Sequence, residues 1–149
     1  MLLNVVTADL NGENRKTIYT FNANEITNSP CFTDGENIYF IADRVYSNGD
    51  KIDYRCVLVK INIYTDVATD ILNLSEKYGT SSVNLFGVCK DEFVLSVNTD
   101  KTQLKSITRD GNDGKYVNDT LNYGDSDKYF DGEYEYIISY TDKEFVRKN

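Results

Sequence analysis

The sequence predicts an all-β fold built from stacked four-stranded antiparallel sheets, and three observations carry that expectation. The first is a recurring polar turn that runs into an alternating strand: DGENIYFIA (Asp34 to Ala42), KDEFVLSVN (Lys90 to Asn98) and DGEYEYIIS (Asp131 to Ser139). The second is spacing. Leu58 and Leu104 open equivalent strands 46 positions apart (104 − 58), and the turns Asn11-Gly12 and Asp110-Gly111 lie 99 apart (110 − 11), about two such periods. The third is composition, with twelve Tyr, seven Phe and no Trp. Together with Val, Ile and Thr, Tyr favours strands because these side chains pack on a pleated, half-buried surface. A four-stranded β-propeller blade repeats at roughly this length.

Taken in order, Leu2 to Ala8 reads as a strand that meets Asn11-Gly12, a hairpin signal because Asn and Gly tolerate positive φ. Lys16 to Phe21 is its partner. The polar loop Asn22 to Pro30, with the only proline, is expected to cross between sheets. One complete unit follows, with strands at Pro30 to Thr33, Asn37 to Tyr46, Tyr54 to Ile63 and Thr69 to Leu74, and a turn at Ser47 to Asp50. Ser75 to Ser82 is a second crossing, with one short helical turn at Leu74 to Tyr78. A second unit occupies Val83 to Val88, Glu92 to Asn98, Thr102 to Thr108 and Lys115 to Asn118. Within it Phe93, Leu95 and Val97 share one face, and Val94 and Ser96 the other. Lys128 to Phe130, Tyr134 to Thr141 and Glu144 to Lys148 supply the last strands.

The expected organisation is a single propeller-like domain over 1–149: half a blade at 1–21, blades at 30–74 and 83–118, and a partial blade at 128–149. About three blades' worth of chain, starting and ending mid-blade, leaves open edges. Blades bury their faces only by stacking, and closed propellers use 4 to 8 of them. The expectation is therefore either a longer parent propeller or two copies that complete one ring. In the second case Leu2 to Ala8 and Lys16 to Phe21 of one copy pair with Tyr134 to Thr141 of the other.

Composition limits the function classes. Hydrophobic residues make up 40% and charged residues 27%, ordinary globular usage. A net charge of −8 argues against nucleic acid, whose phosphates demand clustered Lys and Arg, and against an anionic membrane surface. Residues 110–135 hold eight acids against Lys115 and Lys128. The three cysteines, Cys31, Cys56 and Cys89, lack disulfide or zinc spacing and are expected to be buried thiols. MLLNVVTADL has no basic n-region or long apolar run, so no signal peptide is expected in the chain as written.

At ADLNGENRKTIYTF (Ala8 to Phe21) followed by TDGENIYFIADR (Thr33 to Arg44), the chain resembles bacterial propeller repeats of the TolB type. Their pattern is a short D-G or N-G turn, a Lys or Arg with Thr soon after, then a D-G-x-x-I-Y-F strand. Two places depart from it: Lys90-Asp91 stands for Asp-Gly, and Tyr64-Thr65-Asp66 for a glycine turn. The resemblance implies a scaffold or interaction module, often envelope-associated, with an extracytoplasmic bacterial parent. It transfers no catalytic residue.

Zero histidines removes Ser-His-Asp and Cys-His triads, His-ligated metals and the commonest neutral-pH base. No phosphate-binding or nucleophile motif occurs. Asp34, Glu36, Asp131, Glu133 and Glu135 are the carboxylates a glycosidase pair would draw on. Their positions in turns and on one strand face favour solvated structural roles, and the chain is read as non-catalytic. Calcium is the one cofactor alternative. Asp110 to Gly114 begins like an EF-hand loop, but the fifth position is Gly114 and the twelfth Leu121, which leaves only an irregular site at Asp125-Ser126-Asp127 against a solvated acidic loop. Tyr offers a rigid apolar body with a polar tip, a binding-surface chemistry. The expected binding surface is therefore Asp110, Asp113, Tyr116, Tyr123, Asp125, Asp127 and Tyr129. The expected function is a non-catalytic scaffold or protein-binding module, with a carbohydrate-binding or glycan-processing accessory domain as the alternative.

Overall fold

A computed structural model describes residues 3–27, 29–88, 91–118, 126–130, 135–139 and 144–148, with side chains placed as far as residue 114. The fold is all-β: fourteen strands, one five-residue helix, and antiparallel pairing throughout the described residues. The chain divides into two compact units, Met1–Ser81 and Ser82–Asn149.

The first unit opens with a hairpin of β1 (Asn4–Thr7) and β2 (Lys16–Thr20). Its connection turns where Gly12 donates its N–H to the Asp9 carbonyl at 2.8 Å with φ of +80°, a conformation that glycine adopts without Cβ strain. The second sheet comprises β3 (Glu25–Ile26), β4 (Phe32–Thr33), β5 (Asn37–Asn48), β6 (Lys51–Asn62) and β7 (Ala68–Asn73). Both β3 and β4 pair with the same edge of β5, and β6 and β7 follow as a meander. Two asparagine-type turns close it. Asp34 Oδ1 accepts from the backbone N–H of Glu36 and Asn37, and Asn62 Oδ1 from those of Tyr64 and Thr65. Asp66 takes the positive φ of 57° that the missing glycine would have supplied, a conformation Asp tolerates better than most residues.

Alternation along β5 and β6 puts Ile38, Phe40, Ala42, Val57, Val59 and Ile61 on one face. The β1–β2 hairpin packs on that face through Val5, Ile18 and Phe21, with Tyr19 alongside. Phe21 and Phe40 meet at 5.3 Å between ring centroids and Tyr19 and Phe21 at 5.1 Å, the edge-to-face geometry that aromatic quadrupoles favour. Lys16 adds a surface ion pair to Asp66 at 2.6 Å. The helix α1 (Leu74–Tyr78) is capped by Asn73, whose side chain accepts the Glu76 N–H, and it lies against β6 with Leu74 fully buried.

In the second unit β8 (Val83–Val88), β9 (Glu92–Asn98), β10 (Thr102–Thr108) and β11 (Asp113–Asn118) form a four-stranded meander. Phe93 through Val97 of β9 are all buried, so both faces of this central strand are covered. A three-stranded meander of β12 (Ser126–Phe130), β13 (Glu135–Ser139) and β14 (Glu144–Lys148) follows.

Three expectations need correction. The loop Asn22 to Pro30 contains β3, because Glu25 is buried against Arg44 and the Tyr19 hydroxyl and so its strand carries no hydrophobic signature. The turn between β5 and β6 is two residues, Gly49-Asp50, rather than four, and both strands run to the tip. Gly49 has φ of +62°, the positive value a type II′ hairpin turn requires at its first central residue. Cys31 is exposed, since it sits on the approach to the two-residue strand β4 and not inside a sheet, whereas Cys56 is buried on β6. Cys89 lies outside the described residues.

Candidate functional site

The twelve-residue strands β5 and β6 outrun their neighbours. β3 reaches only Arg44 of β5, and β7 begins pairing only at Val57 of β6. The distal part, from Val45 to Tyr54, therefore projects as a two-stranded arm whose lateral edges carry no strand among the described residues.

Register fixes what each face of the arm presents. Arg44, Tyr46, Asp53 and Arg55 share one face, and Val45, Ile52 and Tyr54 the other. Arg55 donates from Nε to Asp53 at 2.7 Å, and its guanidinium stacks over the Tyr46 ring at 4.5 Å. The hydrogen bond to Asp53 raises the Arg55 pKa further above its ordinary value. Where β7 ends at Asn73 and the chain turns into α1, a cleft of about 320 Å³ opens beside the arm, lined by Asp53, Arg55, Asn73, Ser75 and Glu76. Ser75 Oγ accepts the Cys56 N–H at 2.8 Å and seals the inner end of that edge.

At the base of the arm sits a buried charge network. The Glu25 side chain is 1% exposed and accepts from Arg44 Nε at 2.7 Å and from the Tyr19 hydroxyl at 2.8 Å. Arg44 turns its other two nitrogens to Asp70 as a fork, a geometry that only the planar guanidinium offers. Those bonds to Asp70 outweigh desolvation and raise the Arg44 pKa. Desolvation, then the bond to Glu25, raises the Tyr19 phenol. Every partner here is internal to the fold, so this network ties β2, β3, β5 and β7 together.

Of the residues expected to form a binding surface, Asp110 and Asp113 are exposed at the β10–β11 turn, where Gly111 donates to the Thr108 carbonyl. Tyr116 lies on β11, and Asp127 and Tyr129 on β12. Tyr123 and Asp125 lie outside the described residues. Among the other candidate carboxylates, Asp34 is held by turn hydrogen bonds, Glu135 opens β13, and Asp131 and Glu133 lie outside the described residues. Desolvation pushes the Asp34 carboxyl up, but bonds from the Tyr39 hydroxyl and from the Asn37 and Glu36 amides outweigh it, so its pKa ends below the ordinary range. Among the described residues no three His, Cys, Asp or Glu side chains converge as a metal site, and no helix is long and apolar enough to cross a membrane.

The arm and its cleft escaped the sequence because their signal is a relation between strands. β5 and β6 are longer than β3 and β7, and only the pairing reveals the overhang. Comparison of the chain with protein-family models, curated proteins and solved structures finds no match.

Proposed function

We propose that the chain is a non-catalytic protein-binding scaffold assembled from propeller-type blades of the TolB-like kind, and that its sheet edges are its binding surface. The observation that carries this reading is the packing of the two-stranded β1–β2 sheet on one face of the five-stranded sheet through Val5, Ile18 and Phe21. Sheet stacked on sheet, each a short antiparallel meander, is how blades bury faces they cannot bury alone. The four-stranded meander of β8 to β11 and the three strands of β12 to β14 have the same local design.

An edge without a strand partner presents a row of backbone donors and acceptors, and pairing satisfies them. The outer edge of β1 has none among the described residues, and Leu3 and Val6 beside it are exposed. Because β13 is already paired on both sides, by β12 and β14, the strand that a second copy would lay against the β1 edge in a two-chain ring is an outer strand of that sheet rather than the Tyr134 to Thr141 strand expected from the sequence. Light scattering on the isolated chain tests this. The expected mass is twice 17.0 kDa at high concentration, falling to the monomer in Val6→Lys. A monomer at every concentration, with Val6→Lys indistinguishable from the parent, removes the ring.

A further inference from the structure

We propose that Asn48, at the tip of the β5–β6 arm, is a site of spontaneous deamidation, and that Asn11, in the same Asn-Gly dipeptide, is held out of that reaction by its turn. The modification is separate from the β1 edge and does not depend on the blade reading.

Chemistry comes first. An asparagine followed by glycine is labile because the next backbone nitrogen can reach its side-chain carbonyl carbon, and glycine sets no Cβ in the way. The chain has two such pairs, Asn11-Gly12 and Asn48-Gly49. Water is the only co-reactant. The Gly49 nitrogen gives its proton to solvent and bonds to Asn48 Cγ, the Cγ–Nδ2 bond breaks, and Nδ2 leaves as ammonia. Water then opens the five-membered imide at one of its two carbonyls, which leaves Asp or isoaspartate.

Both pairs are exposed, so burial does not choose between them. Hydrogen bonds do. The Gly12 N–H donates to the Asp9 carbonyl at 2.8 Å, which turns the attacking nitrogen away from Asn11 Cγ. The Asn11 side chain is tied as well: Nδ2 donates to Glu13 Oε2 at 3.0 Å, and Oδ1 accepts the Glu13 N–H at 3.1 Å. Arg15 Nε, donating to the Gly12 carbonyl at 3.1 Å, fixes the far side of that glycine. At the arm tip the equivalent atoms are open. Among the described residues neither the Gly49 N–H nor the Asn48 side chain has a hydrogen-bond partner, and the Ser47 hydroxyl reaches only the Gly49 carbonyl, at 3.5 Å. What must yield is the last rung of the ladder, Asn48 with Lys51, both exposed. Such terminal rungs open at small cost. Conversion places a new acid two residues before Asp50. Isoaspartate also routes the main chain through the side chain, which removes that rung and shortens the arm.

Peptide mapping by mass spectrometry reads both sites in one sample. The full chain is aged in mildly alkaline buffer, once folded and once unfolded in urea, and the amide-to-acid conversion at residues 48 and 11 is followed with time. In the folded chain conversion is expected to be at least about tenfold faster at Asn48 than at Asn11, since ring closure at Asn11 must first break several hydrogen bonds. In urea the two rates should converge, because each pair is followed by an acid, Asp50 or Glu13, and only the fold distinguishes them. Equal rates in the folded chain, faster conversion at Asn11, or a difference that persists in urea overturns the proposal. So does an Asn48 that stays intact in the folded chain over the time in which the unfolded chain converts.

Discussion

Arg44 joins a carboxylate sealed inside the sheet to one at the surface. Its Nε meets Glu25 and its fork meets Asp70, while Glu25 also accepts the Tyr19 hydroxyl. A buried ion pair is expensive to assemble, but removing one member leaves the other charged without compensation. Arg44→Ala is therefore expected to destabilise the protein by about 3 kcal/mol in urea unfolding, and Glu25→Gln combined with it to recover part of that loss. Asp34 gives a pH signature of known sign. Its folded pKa is depressed, so the stability it contributes is complete above the unfolded value of about 4 and is lost as pH falls through the lower folded value. Asp34→Asn should flatten that acid limb when stability is followed by urea titration from pH 6 downward. At this scale the sequence was legible for turns, where Asp34, Gly49 and Tyr64-Thr65-Asp66 announce themselves, although the part Asn62 plays in the last of these was not. It was opaque for Glu25, since a Glu in a polar loop looks solvated until its partners Tyr19 and Arg44, 6 and 19 residues away, are known.

Elements were legible wherever apolar alternation accompanied pairing. Val83–Val88, Glu92–Asn98, Thr102–Thr108 and the helix Leu74–Tyr78 have the bounds that periodicity and turn residues assign them. The arm was not, because Ser47, Asn48 and Lys51 continue a ladder that no buried face reinforces, and hairpin pairing alone extends it. The two ends of β5 should then answer differently to truncation. Phe40 is fully buried between sheets and in contact with Phe21 and Tyr19, so Phe40→Ala is expected to cost about 3–5 kcal/mol of unfolding free energy. Ile52, on the exposed arm opposite Ser47, should change monomer stability by less than about 0.5 kcal/mol when cut to Ala. Equal losses at both positions would mean that the arm belongs to the cooperative core.

For the whole molecule, the all-β class follows from Tyr, Val, Ile and Thr in alternating runs, and the grouping of strands into short meanders follows from the turn spacing. How sheets associate was less legible, because it is decided by edges and faces that no local pattern encodes. The central claim is that those edges are where the protein binds. The Phe21 N–H donates to the Leu3 carbonyl, which turns residue 3 toward β2 and, by alternation, turns the Asn4 amide outward on the β1 edge. Residue-resolved hydrogen exchange of that amide is the most direct measurement. The account predicts protection of Asn4 that rises with protein concentration and disappears in Val6→Lys. An Asn4 amide that exchanges as fast as an exposed loop amide at every concentration would contradict it.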